Sequence, residues 1–98
     1  MKKKKYITRE VMVQRLFRLA LEINSLECRQ RRICDKPAVL FDFSGHVSEI
    51  HIYIFLHGWE SGTHADKNYE MYLDKETFSV KKYKQIYKEL EDIRDGLL

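Results

Sequence analysis

Residues 47–57 read VSEIHIYIFLH. Ile50, Ile52, Ile54 and Leu56 fall on one side of an extended chain, and Glu49, His51, Tyr53, Phe55 and His57 fall on the other. Strand side chains alternate faces with a period of two, so the aliphatic row is the floor of a core. The opposite row is half polar and half aromatic, and a core does not account for it. The fold is decided by what covers the isoleucines.

Before this stretch, Ser44-Gly45-His46 is a short turn signal that joins the central strand to an earlier one as a hairpin. That first strand is Ala38–Phe43, with Val39, Phe41 and Phe43 on one face and Leu40 and Asp42 on the other. On the other side, residues 58–67 (GWESGTHADK) form a polar connection punctuated by Gly58 and Gly62. Asn68–Leu73 follows as a third strand, with Tyr69, Met71 and Leu73 on one face and Glu70 and Tyr72 on the other. Three strands with no helix between them imply an antiparallel meander.

Helical patterns flank the strands. Thr8 suits an N-cap, and Met12, Val13, Leu16, Phe17, Leu19, Ala20, Ile23 and Leu26 recur at helical spacing after it. This first helix is expected to run to somewhere between Cys28 and Arg32, making it about 30 Å long. Asp35-Lys36-Pro37 breaks it, because a residue before proline is pushed to extended geometry. At the other end Ser79 suits an N-cap, with Phe78 and Tyr83 placed for a hydrophobic staple. Tyr83, Ile86, Tyr87, Leu90 and Ile93 form an apolar stripe, and Gly96 sits where a C′ glycine belongs. A start at Asp74 would lengthen this helix by a turn or more. The expected fold is α+β: a two-layer αβββα domain, its three-stranded antiparallel meander covered on the isoleucine face by a long N-terminal and a C-terminal helix.

The 98 residues suit one domain, with residues 1–7 as a flexible basic tail. No apolar run approaches the roughly 20 residues needed to span a bilayer, no signal peptide is read, and no membrane partner is expected. Cys28 and Cys34 are the two thiols, which fits a cytoplasmic location. The net charge of +3 conceals an uneven distribution. Residues 1–32 carry ten Lys/Arg against three Asp/Glu, residues 33–79 three against eight, and residues 80–98 five against four. A basic first third and an acidic middle favour charge-guided association.

Chemistry is harder to find. No GxSxG, P-loop or dinucleotide glycine pattern occurs, and the carboxylates are scattered along the chain, so no enzymatic activity and no cofactor are expected. The two cysteines match no common zinc or redox spacing. All four histidines lie between residues 46 and 64. His51 and His57 share a face but stand six residues apart, roughly 20 Å along a strand, too far for one ion. His57 and His64 bracket the long connection with Glu60 and Asp66 near them, the one local metal constellation. A polar sheet face and loop account for these histidines more simply, and no metal is expected.

Two surfaces remain. Arg15, Arg18 and Arg29 lie on the solvent half of the first helix, Arg31 and Arg32 follow it, and Lys81, Lys82 and Lys84 open the last helix. A cationic helix start is unusual, since the macrodipole there favours anions, and it could hold a phosphate. These eight residues are the candidate nucleic-acid contacts. The element order, with Gly45-His46 after the first strand and Lys81-Lys82-Tyr83-Lys84 opening the second helix, resembles the double-stranded-RNA-binding domain. That resemblance implies phosphate contacts from the lysines and a minor-groove contact from the Gly-His turn. The chain departs from that family in its longer first helix, its longer loop before the third strand, and tyrosines where small residues are expected along the second helix. The match therefore extends to topology and two short motifs.

The second surface is the outward row His51, Tyr53, Phe55 and His57 with Tyr72, and Leu40 beside it. Monomers seldom expose a large contiguous apolar patch without a reason. The leading expectation is a small non-enzymatic domain that binds itself as a dimer, or another protein, through this face. A short, lysine-started, tyrosine-rich chain also suits the accessory proteins of bacterial genomes and their phages.

Overall fold

A computed structural model of the chain describes residues 8–25, 36–59, 62 and 64–97. The central run forms β2 (Glu49–Phe55), flanked by β1 (Ala38–Ser44) and β3 (Lys67–Tyr72) in the order β1-β2-β3, both pairings antiparallel. Helix α1 (Arg9–Asn24) precedes the sheet and α2 (Val80–Arg94) follows it. This is the expected α+β meander with a helix at each end. The expected flexible tail, residues 1–7, lies outside the described residues.

The register explains the core. Val39 stands opposite Ile54, Phe41 opposite Ile52 and Phe43 opposite Ile50; across β3, Ile50 faces Met71 and Ile52 faces Tyr69. These residues share the inner face. Val39, Ile50, Ile52, Ile54 and Met71 are buried there against Leu16, Leu19 and Ala20 of α1 and Tyr83, Ile86, Leu90 and Ile93 of α2. Both helices therefore lie on the isoleucine face. Polar links fasten them at the ends. Arg9 donates to the Leu73 carbonyl at 2.6 Å, Arg94 pairs with Glu22 at 2.8 Å, and Glu89 of α2 accepts from Tyr69 and pairs with Lys67.

Local signals set the helix ends. The Thr8 hydroxyl accepts from Val11 N–H and the Ser79 hydroxyl from Lys82 N–H. Asp74, the alternative helix start, instead closes its own turn: its carbonyl accepts from Phe78 N–H at 3.0 Å and its carboxylate binds Thr77. At the other end, Leu97 N–H donates to Asp92 and Gly96 N–H to Ile93, with Gly96 at φ +74°, the paired bonds of a Schellman motif.

Helix α1 is shorter than its apolar period suggests. It stops at Asn24, with Ser25 at φ +66°, rather than between Cys28 and Arg32. Sixteen residues make it about 24 Å long. The Asn24 side chain turns to the sheet: its Nδ2 donates to the Val39 carbonyl and its Oδ1 accepts from Val39 N–H, each at 2.7 Å. Val39 therefore points its backbone polar groups away from β2, toward the open edge of β1, and Asn24 takes the place of a neighbouring strand there.

Candidate functional site

The face opposite the helices is built by the same register. Three rows cross it: Ser44–Glu49–Tyr72, Asp42–His51–Glu70 and Leu40–Tyr53–Asn68. Because Val39 bonds outward, Val39 and Ile54 form a non-hydrogen-bonded pair. By alternation Ile54 directs its groups at β3, as its acceptance from Asp66 N–H at 2.9 Å confirms. His51–Glu70 and Glu49–Tyr72 are then non-hydrogen-bonded pairs, the closer kind, which brings their side chains together.

The centre of the face follows from that closeness. His51 Nε2 lies 2.9 Å from Glu70 Oε2 and 3.8 Å from Glu49 Oε2. The His51 ring stacks on Tyr53, centroids 5.8 Å apart and planes 25° from parallel. The Tyr72 hydroxyl titrates above its ordinary range, because of the Glu49 charge first and then a hydrogen bond to the same carboxylate. Leu40 is 48% exposed beside a half-buried Tyr53, and Tyr72, 45% exposed, lies beyond the Asp42–His51–Glu70 row. Each strand thus contributes one aromatic or aliphatic residue to this face, with a charged row between Tyr53 and Tyr72, and α1 and α2 both lie on the other side of the sheet.

The five residues expected to form a partner-binding face do not behave alike. His51, Tyr53 and Tyr72 come together as described. Phe55 belongs to the same face by alternation but is only 5% exposed, so it presents almost no surface for a partner. His57 lies in the turn after the strand end and is exposed there. The strand is shorter than the alternation in the sequence: Leu56 and His57 leave it, and the Leu56 N–H donates to the Asp66 carboxylate at 2.7 Å.

That bond also employs Asp66, one member of the metal constellation considered around His57 and His64; Glu60 lies outside the described residues. Among the described residues the side chains close enough to share an ion are instead Glu49, His51 and Glu70, whose ligating atoms all lie within 4.8 Å of one another. Sequence spacing missed this group because Glu70 arrives from another strand.

Of the basic residues, Arg15 and Arg18 are exposed on α1, and Arg29, Arg31 and Arg32 lie outside the described residues. Lys81 and Lys84 are exposed and Lys82 half-buried in the first turns of α2, a turn with no acidic residue. Among the described residues none of these three lysines pairs with a carboxylate, whereas Lys88 and Arg94 further along do.

A second apolar surface went unread in the sequence. Phe17 and Phe43 belong to the core rows by period, yet they are 46% and 57% exposed. With Val13, Phe41 and Leu73 they line an open groove of about 430 Å³ between α1 and the end of β1. Phe17 meets Phe41 edge-on at 5.4 Å, and beyond that contact α1 no longer covers the strand. No helix among the described residues is long and apolar enough to cross a membrane. No protein-family model, no curated protein and no solved structure matches this chain.

Proposed function

We propose that this protein works without catalysis, by association with a polypeptide through the sheet face that no helix among the described residues covers, a second copy of itself being the simplest partner. One observation carries the reading: both helices lie on the isoleucine face, leaving Leu40, Tyr53 and Tyr72 directed outward from the other. Tyrosine and aliphatic surface of this kind supplies interface area at low entropic cost. An isologous pair would cover the same patch on both copies.

Sedimentation of the full chain over a range of concentrations tests this, with Tyr53→Lys and Leu40→Glu as interface variants. Self-association predicts a mass rising toward that of a dimer, and weaker association in both variants with the circular dichroism spectrum unchanged. A mass that stays monomeric discards the dimer and leaves a heterologous partner on the same face. Loss of association in Phe43→Glu, but not in Tyr53→Lys, moves the interface to the groove beside α1.

A second reading rests on the lysines opening α2, which pair with no carboxylate among the described residues. A helix start that gathers cations suits a phosphate backbone. Nucleic-acid binding by this route weakens steeply with salt and falls when Lys81 and Lys84 are replaced by glutamine. Absence of binding to RNA and DNA duplexes in low salt rules it out.

A further inference from the structure

We infer that Glu49, His51 and Glu70 form a binding site for a divalent transition ion, Zn2+ in the first instance, on the open face of the sheet. The inference does not depend on the association just proposed. Three observations support it.

The first is ligand geometry. One imidazole nitrogen and two carboxylates converge, with separations of 2.9 Å and 3.8 Å from the nitrogen and all three within 4.8 Å. Ligands 2.0–2.1 Å from a tetrahedral zinc stand about 3.4 Å apart, so these atoms close on an ion with small side-chain rotations. Glu49 and His51 are two apart on β2 and share a face; Glu70 comes from the adjacent strand in a close pair. The site is thus fixed by backbone register on two strands.

The second is charge. Glu49 and Glu70 are brought together with no lysine or arginine paired to either among the described residues. Asp42 sits opposite His51 on β1 and adds to the negative field. A protonated His51 neutralises one carboxylate and leaves the other, whereas a divalent ion neutralises both. A nitrogen and two hard oxygens suit zinc and its neighbours rather than calcium, which takes oxygen ligands alone.

The third is support around the ligands. The Glu49 side chain is 14% exposed, and Tyr72 stands opposite it on β3 in a close pair. His51 is held flat against Tyr53. Packing of this kind orients the ligands ahead of the ion. Three protein ligands leave one tetrahedral position open, facing solvent.

The test is calorimetric titration of the full chain with Zn2+ at neutral pH, with the histidine side-chain resonances followed by NMR. The expected result is about one ion per chain, with His51 the histidine that shifts. Glu70→Gln, an exposed position that leaves the core alone, weakens binding about tenfold or more, since deleting a ligand costs at least what deleting a ligand's hydrogen-bond partner costs. His51→Ala abolishes the site, while His57→Ala, His64→Ala and the Cys28→Ser, Cys34→Ser double variant leave it unchanged. Absence of binding overturns the inference. So does binding that survives both Glu70→Gln and His51→Ala, or that is lost with the thiols or with His57 and His64. Thermal unfolding of each variant without metal separates loss of the site from loss of the fold.

Discussion

The Asn24 amide meets Val39 N–H and C=O in a two-bond contact, both at 2.7 Å, on the open edge of β1. Both side chain and strand are partly buried, so removing the amide leaves backbone groups without a partner. Asn24→Ala is expected to cost about 1–3 kcal/mol in urea unfolding; unchanged stability would mean that water serves Val39 as well. A second polar contact gives a pH dependence. Burial first, then the hydrogen bond to Glu89 and its charge, push the Tyr69 hydroxyl from 10.0 up to about 12. The folded state holds that proton more tightly than the unfolded chain. Its stabilisation is therefore complete below pH 10 and lost as the pH rises toward 12. The site is partly open to solvent, which keeps the effect to about 1 kcal/mol. Tyr69→Phe should flatten that part of the alkaline stability curve relative to wild type. Neither contact was legible in the sequence, because Asn24 and Val39 are 15 residues apart and Tyr69 and Glu89 are 20. Nothing local marks such pairs.

At the scale of elements, much was legible because the signals are local. Helix α2 begins at its Ser79 cap and ends at Gly96 as the residue types indicate. Ser79→Ala should lower stability by about 1 kcal/mol. Gly96 has open space where a Cβ would go, so Gly96→Ala is limited by its φ of +74° alone and should also cost about 1 kcal/mol. Equal stability in either variant, measured by thermal unfolding, would remove that cap from the explanation. The end of α1 was not legible. Its apolar period continues to Leu26 in the sequence, while the chain leaves the helix at Ser25 so that Asn24 can reach β1. A tertiary contact overrode a local pattern. The strand ends shifted for a related reason: alternation runs to His57, but Asp66 captures the Leu56 N–H and turns the chain away.

At the scale of the whole molecule, the two layers follow from the sequence: one aliphatic row on β2 needs cover, and two amphipathic helices supply it. What periodicity does not contain is how far that cover reaches. It assigned Phe17 and Phe43 to the core side correctly and could not show that both lie past the edge of the cover, half exposed. It likewise placed His51, Glu49 and Glu70 on the outward faces of two strands without the register that joins them. The outward face is consequently where association is expected. Sedimentation equilibrium of the wild-type chain beside Tyr53→Lys tests it most directly. Association through the sheet face predicts a concentration-dependent dimer in the wild type and a weaker one in the folded variant. Dimerisation equally strong in both would contradict it.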